Sequence, residues 1–78
     1  MERWFEIWET ETGNLAGDYE SQAEALAVIR RILESDHPET VKTLLLTEEH
    51  ESGKSIQIGA GEELVRLAVQ ASVTVSSR

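Results

Sequence analysis

The residues best equipped for chemistry lie in T-E-E-H-E-S-G-K, Thr47 to Lys54, where His50 stands among Glu48, Glu49 and Glu51. Imidazole and carboxylate both ligate zinc. Adjacent residues on a strand point to opposite faces, so this run cannot turn all four groups on one ion. A solvated hairpin end with an exposed histidine is the simpler reading. G-A-G-E-E, Gly59 to Glu63, sets glycines ahead of a helix in the manner of a phosphate cradle. It lacks the third glycine of a dinucleotide fingerprint and the lysine of a P-loop. Two acids at the helix start would also repel a phosphate. His37 beside Pro38 decorates a loop, and the serines, histidines and aspartates follow no triad spacing. No carboxylate sits in the kind of apolar stretch that makes a catalytic acid. The expectation is a protein that is not an enzyme and uses neither a metal nor a cofactor.

Fifteen acidic against seven basic residues give a net charge of −8 over 78 residues, and there is no cysteine. That length allows one domain, which buries roughly 60–65% of its unfolded surface and is thinly stabilised. Disulfides and thiolate metal sites are excluded, which leaves oligomerisation among the usual aids to a small core. The acidity argues against a phosphate backbone as partner, since that requires clustered Lys and Arg. It suits a basic protein instead. M-E-R-W-F-E-I-W-E-T is too acidic, and its apolar run too short, for a signal peptide. No stretch approaches the ~18–20 apolar residues of a membrane span. A cytoplasmic protein that binds neither nucleic acid nor membrane is expected.

The elements that must position these groups are legible from periodicity. Residues 3–10, rich in aromatic and β-branched side chains, predict a strand, and E-T-G-N a turn in which Gly13 and Asn14 tolerate positive φ. Leu15 to Tyr19 form the return strand, with Leu15, Gly17 and Tyr19 on one face and Gly17 marking a bulge. In S-Q-A-E-A-L-A-V-I-R-R-I-L, Ser21 and Glu24 make a capping box. Ala25, Leu26, Ile29, Ile32 and Leu33 then supply one buried helical stripe. Pro38 stops this helix by about Asp36. T-V-K-T-L-L-L-T-E-E-H reads as a strand, although Pro38 could instead open a helix. Its hairpin partner is S-I-Q-I-G, with Ile56 and Ile58 on the apolar face. A second helix follows, with Leu64, Leu67, Ala68 and Ala71 as its stripe. The prediction is an α+β domain over residues 1–71, in ββαββα order, with two helices on one face of a four-stranded antiparallel sheet. Residues 72–78 are expected to be a frayed tail or an added edge strand. The two ββα halves match in pattern, but their residues do not establish a repeat.

Such a sheet leaves one face open, and the first strand is apolar on both. Trp4 and Trp8 share one side and Phe5 and Ile7 the other, while Leu44 and Leu46 oppose Leu45 in the same way. Whichever side the helices take, an apolar patch remains, and such patches mark interfaces. Trp4, Phe5, Ile7, Trp8, Leu44 and Leu46 are therefore the candidate interface residues. A homodimer through the open sheet face is the first expectation, and a basic protein partner the second.

W-F-E-I-W-E-T-E-T-G-N-L-A-G-D-Y-E-S-Q-A-E-A-L, residues 4–26, resembles short uncharacterised bacterial proteins with a W-F-x-[IV]-W, T-G-N-[LV] and E-A-L signature. The likeness extends through E-E-H-E-S-G-K-S-I-Q-I-G-A-G-E-E-L and implies a fold rather than an activity. A second stretch, Gly17, Asp18, Glu24, Ala25 and Leu26, is similar to the G-D-x-x-x-E-A-L of HicB-like antitoxin N-terminal domains, with two extra residues between the acid and E-A-L. The Pro-Asp-x-Pro-Gly segment of that family and its DNA-binding domain are absent from the sequence. What this second resemblance implies is an acidic inhibitor of a basic protein such as a nuclease.

Overall fold

Alternating apolar residues and turn glycines fold the N-terminal third into β1 (Arg3–Glu9) and β2 (Asn14–Tyr19), and the capped apolar stripe after them into α1 (Gln22–Leu33). A 3-10 helix (Pro38–Thr43) leads into β3 (Leu44–His50), β4 (Ser55–Ala60) and α2 (Glu62–Ser76). The computed structural model describes residues 2–76, with side chains through residue 71. The strands form one sheet in the order β2-β1-β3-β4, every pair antiparallel. α1 lies over β1 and β2, α2 over β3 and β4, and the helices touch each other. The protein thus has the α+β fold and ββαββα order that its periodicity predicts.

Ser21 caps α1: its hydroxyl oxygen accepts the Glu24 N–H at 3.1 Å. The capping box closes only on this side, because the Glu24 carboxylate accepts the Ser21 hydroxyl at 3.4 Å. Ser21→Ala should lower stability in urea melts by about 1 kcal/mol, since it leaves a helix N–H without its partner. A change near zero would mean that water caps this end equally well. At the other end, the Ser35 hydroxyl donates to the Ile32 carbonyl at 2.6 Å and accepts the His37 N–H at 3.1 Å. These bonds end α1 at Leu33, before the proline could.

Three expectations are corrected. The strand expected from Thr40 onward begins at Leu44, because Pro38, with φ already helical, opens the 3-10 helix. Val41 from that helix is fully buried against both α1 and α2. Leu15 does not share a face with Gly17 and Tyr19. A bulge at Ala16 shifts the register, so Leu15 sits opposite Trp8 while Gly17 faces Ile7. Of the expected tail, residues 72–76 continue α2, and 77–78 lie outside the described residues. No glycine or proline follows Gly61 to stop the helix.

The two halves are related by a pseudo-twofold axis normal to the sheet. Ile7 and Leu46 pair with each other across the central strands, and each faces a glycine on its hairpin partner, Gly17 and Gly59. A bulge follows at the same step in both hairpins. The core-face positions match in character, Phe5 with Leu44 and Ile7 with Leu46, and all four are buried. The open-face positions do not: Glu6 and Trp8 correspond to Leu45 and Thr47.

Candidate functional site

The helices occupy the face that carries Phe5, Ile7, Leu44 and Leu46, which are 3%, 1%, 4% and 0% exposed. These four residues belong to the chain's own core with Leu26, Ile29, Leu64 and Ala68, so they cannot line an exposed interface. The correction has a simple cause. Period two assigns residues to two faces, but both faces of β1 are apolar, so the pattern cannot say which one is covered. Trp4 and Trp8 lie on the open face, and both are half-buried.

The register arranges that face in rows across the strands. Leu15, Trp8, Leu45 and Ala60 form an apolar row spanning all four. Asp18, Glu6, Thr47 and Gln57 form the next, and Trp4, Glu49 and Ser55 a third. Glu6 organises the centre. Its Oε2 accepts the Trp4 indole N–H at 2.8 Å and its Oε1 accepts the Trp8 indole N–H at 3.0 Å. Glu49 Oε2 accepts the hydroxyls of Thr47 and Ser55, each at 2.7 Å. Every one of these donors is neutral. Among the described residues, the cation–carboxylate contacts fall on Glu48 and Glu39, and none reaches Glu6, Asp18 or Glu49. At the β2 edge this surface continues into a cleft of about 510 Å³ lined by Trp4, Asp18, Tyr19, Glu20 and Glu24.

Glu6 is the site residue that residue-type scanning misses. Its signal is present, since Trp4, Glu6 and Trp8 recur at period two and therefore share a face.

The other sequence candidates come apart in space. His50 Nε2 and Arg3 Nη1 both approach Glu48 Oε2, at 2.7 and 3.3 Å, on the helix side of the sheet. Glu49 points to the opposite face with Thr47 and Ser55, so the acids around His50 do not converge. No group of three or more His, Asp or Glu suited to a metal ion occurs among the described residues. His37 makes an exposed contact with Glu39 at 3.4 Å. In G-A-G-E-E, Gly59 is buried under α2, and Gly61, with φ of 59°, donates its N–H to the Leu44 carbonyl. That donor is spent on the fold, so the glycines serve the helix entry. Glu9 accepts the Thr12 N–H at 2.8 Å. The Thr43 side chain, then this Thr12 N–H, hold its carboxyl below the ordinary value. No helix among the described residues is long and apolar enough to cross a membrane.

No protein-family model, curated protein or solved structure matches the chain.

Proposed function

We propose that this protein is a non-catalytic binding module whose working surface is the open face of its sheet. The observation that carries this reading is the mismatch between its two halves. They share the same core-face pattern, yet Glu6 and Trp8 of one half correspond to Leu45 and Thr47 of the other. The second hairpin folds without a Trp–Glu–Trp surface, so the fold itself does not require one. Large aromatic side chains kept at a surface that the fold does not need are typical anchors for a protein partner.

A second copy of the chain is one possible occupant, and a dimer would add buried area to a thin core. Charge speaks against it. Apposing two open faces would bring the Asp18, Glu6 and Glu49 carboxylates of both copies together with no cation between them. We therefore rank a basic protein first and self-association second. An acidic inhibitor of a basic protein, as the HicB-like resemblance implies, fits the first ranking.

The test compares partner retention from native-host extract by the wild-type chain and by Trp4→Ala/Trp8→Ala, after circular dichroism shows the variant to be folded. The variant should lose the partner by roughly tenfold or more, the loss expected for central aromatic anchors. Wild-type retention should also fall steeply as salt rises above ~0.15 M. Equal retention by the variant would move the working surface off the sheet.

A further inference from the structure

We infer that the occupant of the open face is a protein segment carrying an arginine or lysine beside an apolar side chain, its cation seated over Glu6 between Trp4 and Trp8. This rests on the binding-module reading above and adds the chemistry of the partner. Three observations lead to it.

The first is uncompensated charge. Glu6, Asp18 and Glu49 lie on one face, and none has a cationic partner among the described residues. The indole and hydroxyl donors orient these carboxylates without neutralising them. Glu6 spends one acceptor site per oxygen on the indoles. A carboxylate has about four such sites, so each oxygen keeps one for an incoming N–H donor. The second observation is preorganisation. The bonds from Trp4 and Trp8 to Glu6 hold both rings in place before any partner arrives, so less side-chain freedom is lost on binding. Tryptophan is also the best aromatic platform for a cation. The third is the neighbouring row of Leu15, Trp8, Leu45 and Ala60, with Leu15 46% exposed. Two residues along a strand separate the rows, a spacing of about 6–7 Å. A bare polycation would leave that row wet, and a purely apolar segment would strand the carboxylates. A segment with both groups at this spacing satisfies both rows.

Three synthetic peptides of equal length serve as probes: a repeat of Arg–Ser–Leu–Ser, which sets arginine and leucine two residues apart on one face, the same with serine replacing arginine, and the same with serine replacing leucine. Binding at ~0.15 M salt, where long-range attraction is largely screened, is followed by the backbone amide and indole N–H resonances of the isotope-labelled chain. The Arg–Leu peptide should move both indole signals and the amides of 4–8 and 45–49. It should bind about tenfold more tightly than the peptide without arginine, the worth of one charge-assisted hydrogen bond, and about tenfold more tightly than the peptide without leucine, the worth of burying one aliphatic side chain. Glu6→Gln should weaken it about tenfold, again one such bond. Glu34→Gln, which removes an equal charge from the exposed end of α1, should weaken it by less than about twofold as a distant screened charge.

If the Leu–Ser peptide binds the same face as tightly, the cation inference fails while the binding-module reading stands. Equal losses in the two Glu→Gln variants, or shifts away from the open face, would reduce the binding to general attraction by an acidic chain and overturn the inference. Absence of binding by all three peptides would overturn it too. A dimer burying the open face in sedimentation would replace it with self-association.

Discussion

Ile7→Glu should unfold the chain, while Trp8→Glu should leave it folded and monomeric at micromolar concentration. The two residues are neighbours on β1 and both are large and apolar, so only the side of the sheet distinguishes them. Ile7 is 1% exposed and sits on the pseudo-twofold axis, paired with Leu46 and facing Gly17. A glutamate there loses the isoleucine packing, about 2–5 kcal/mol by analogy with large-to-small changes. It also places a carboxylate among the apolar side chains of the core, at a further cost of several kcal/mol. A domain this small holds on the order of 5 kcal/mol in total. The loss exceeds the reserve. Trp8 is half-buried and ends in a hydrogen bond to Glu6 at 3.0 Å. Its replacement removes contact with Leu15 and Leu45 and adds a like charge beside Glu6, for about 1–2 kcal/mol. Circular dichroism and sedimentation on the two variants decide the matter. If both unfold, the open face is as internal as the core face. If both stay folded, the assignment of faces in β1 is wrong.

Gly59→Val should cost about 2–4 kcal/mol, whereas the symmetry-related Gly17→Val should cost about 1 kcal/mol. A Cβ at Gly59 would lie 3.0 Å from Leu67 Cδ1 and 3.3 Å from Glu63 Cγ, both on α2. Both contacts are tighter than ordinary packing, so valine must displace the Leu67 and Glu63 side chains, and Leu67 packs against the core. A Cβ at Gly17 would instead run into the Tyr19 ring, with Cζ 2.9 Å away. That ring is only partly buried at the sheet edge and can swing outward. Thermal melts should separate the two by at least about 4 °C, since 1 kcal/mol moves the midpoint of such a domain by about 4–8 °C. Equal losses would mean that Tyr19 is locked as firmly as α2. A tolerated Gly59→Val would mean that α2 is not in close contact with β4.

Local chemistry accounts for much of this protein. The hairpin at Gly13, the cap at Ser21, the stripe of Ala25, Leu26 and Ile29, and the ββαββα order all follow from interactions within a few residues, so they are legible in the chain. The rows of the open face are not. They depend on register across β1 and β3, and on bulges at Ala16 and Ile58, each of which turns a neighbouring side chain over. The choice between Trp4 with Trp8 and Phe5 with Ile7 is likewise non-local. Both pairs are apolar at period two, and only the packing of α1 and α2 onto one side breaks the tie. The pseudo-twofold axis stays hidden because equivalent positions share size and polarity rather than identity. Only when β1 and β3 pair does Ile7 meet Leu46, its own counterpart. Glu6 belongs to both levels. Its place between two tryptophans at period two is written in the sequence, but its pairing with both indoles required the sheet to leave that face uncovered.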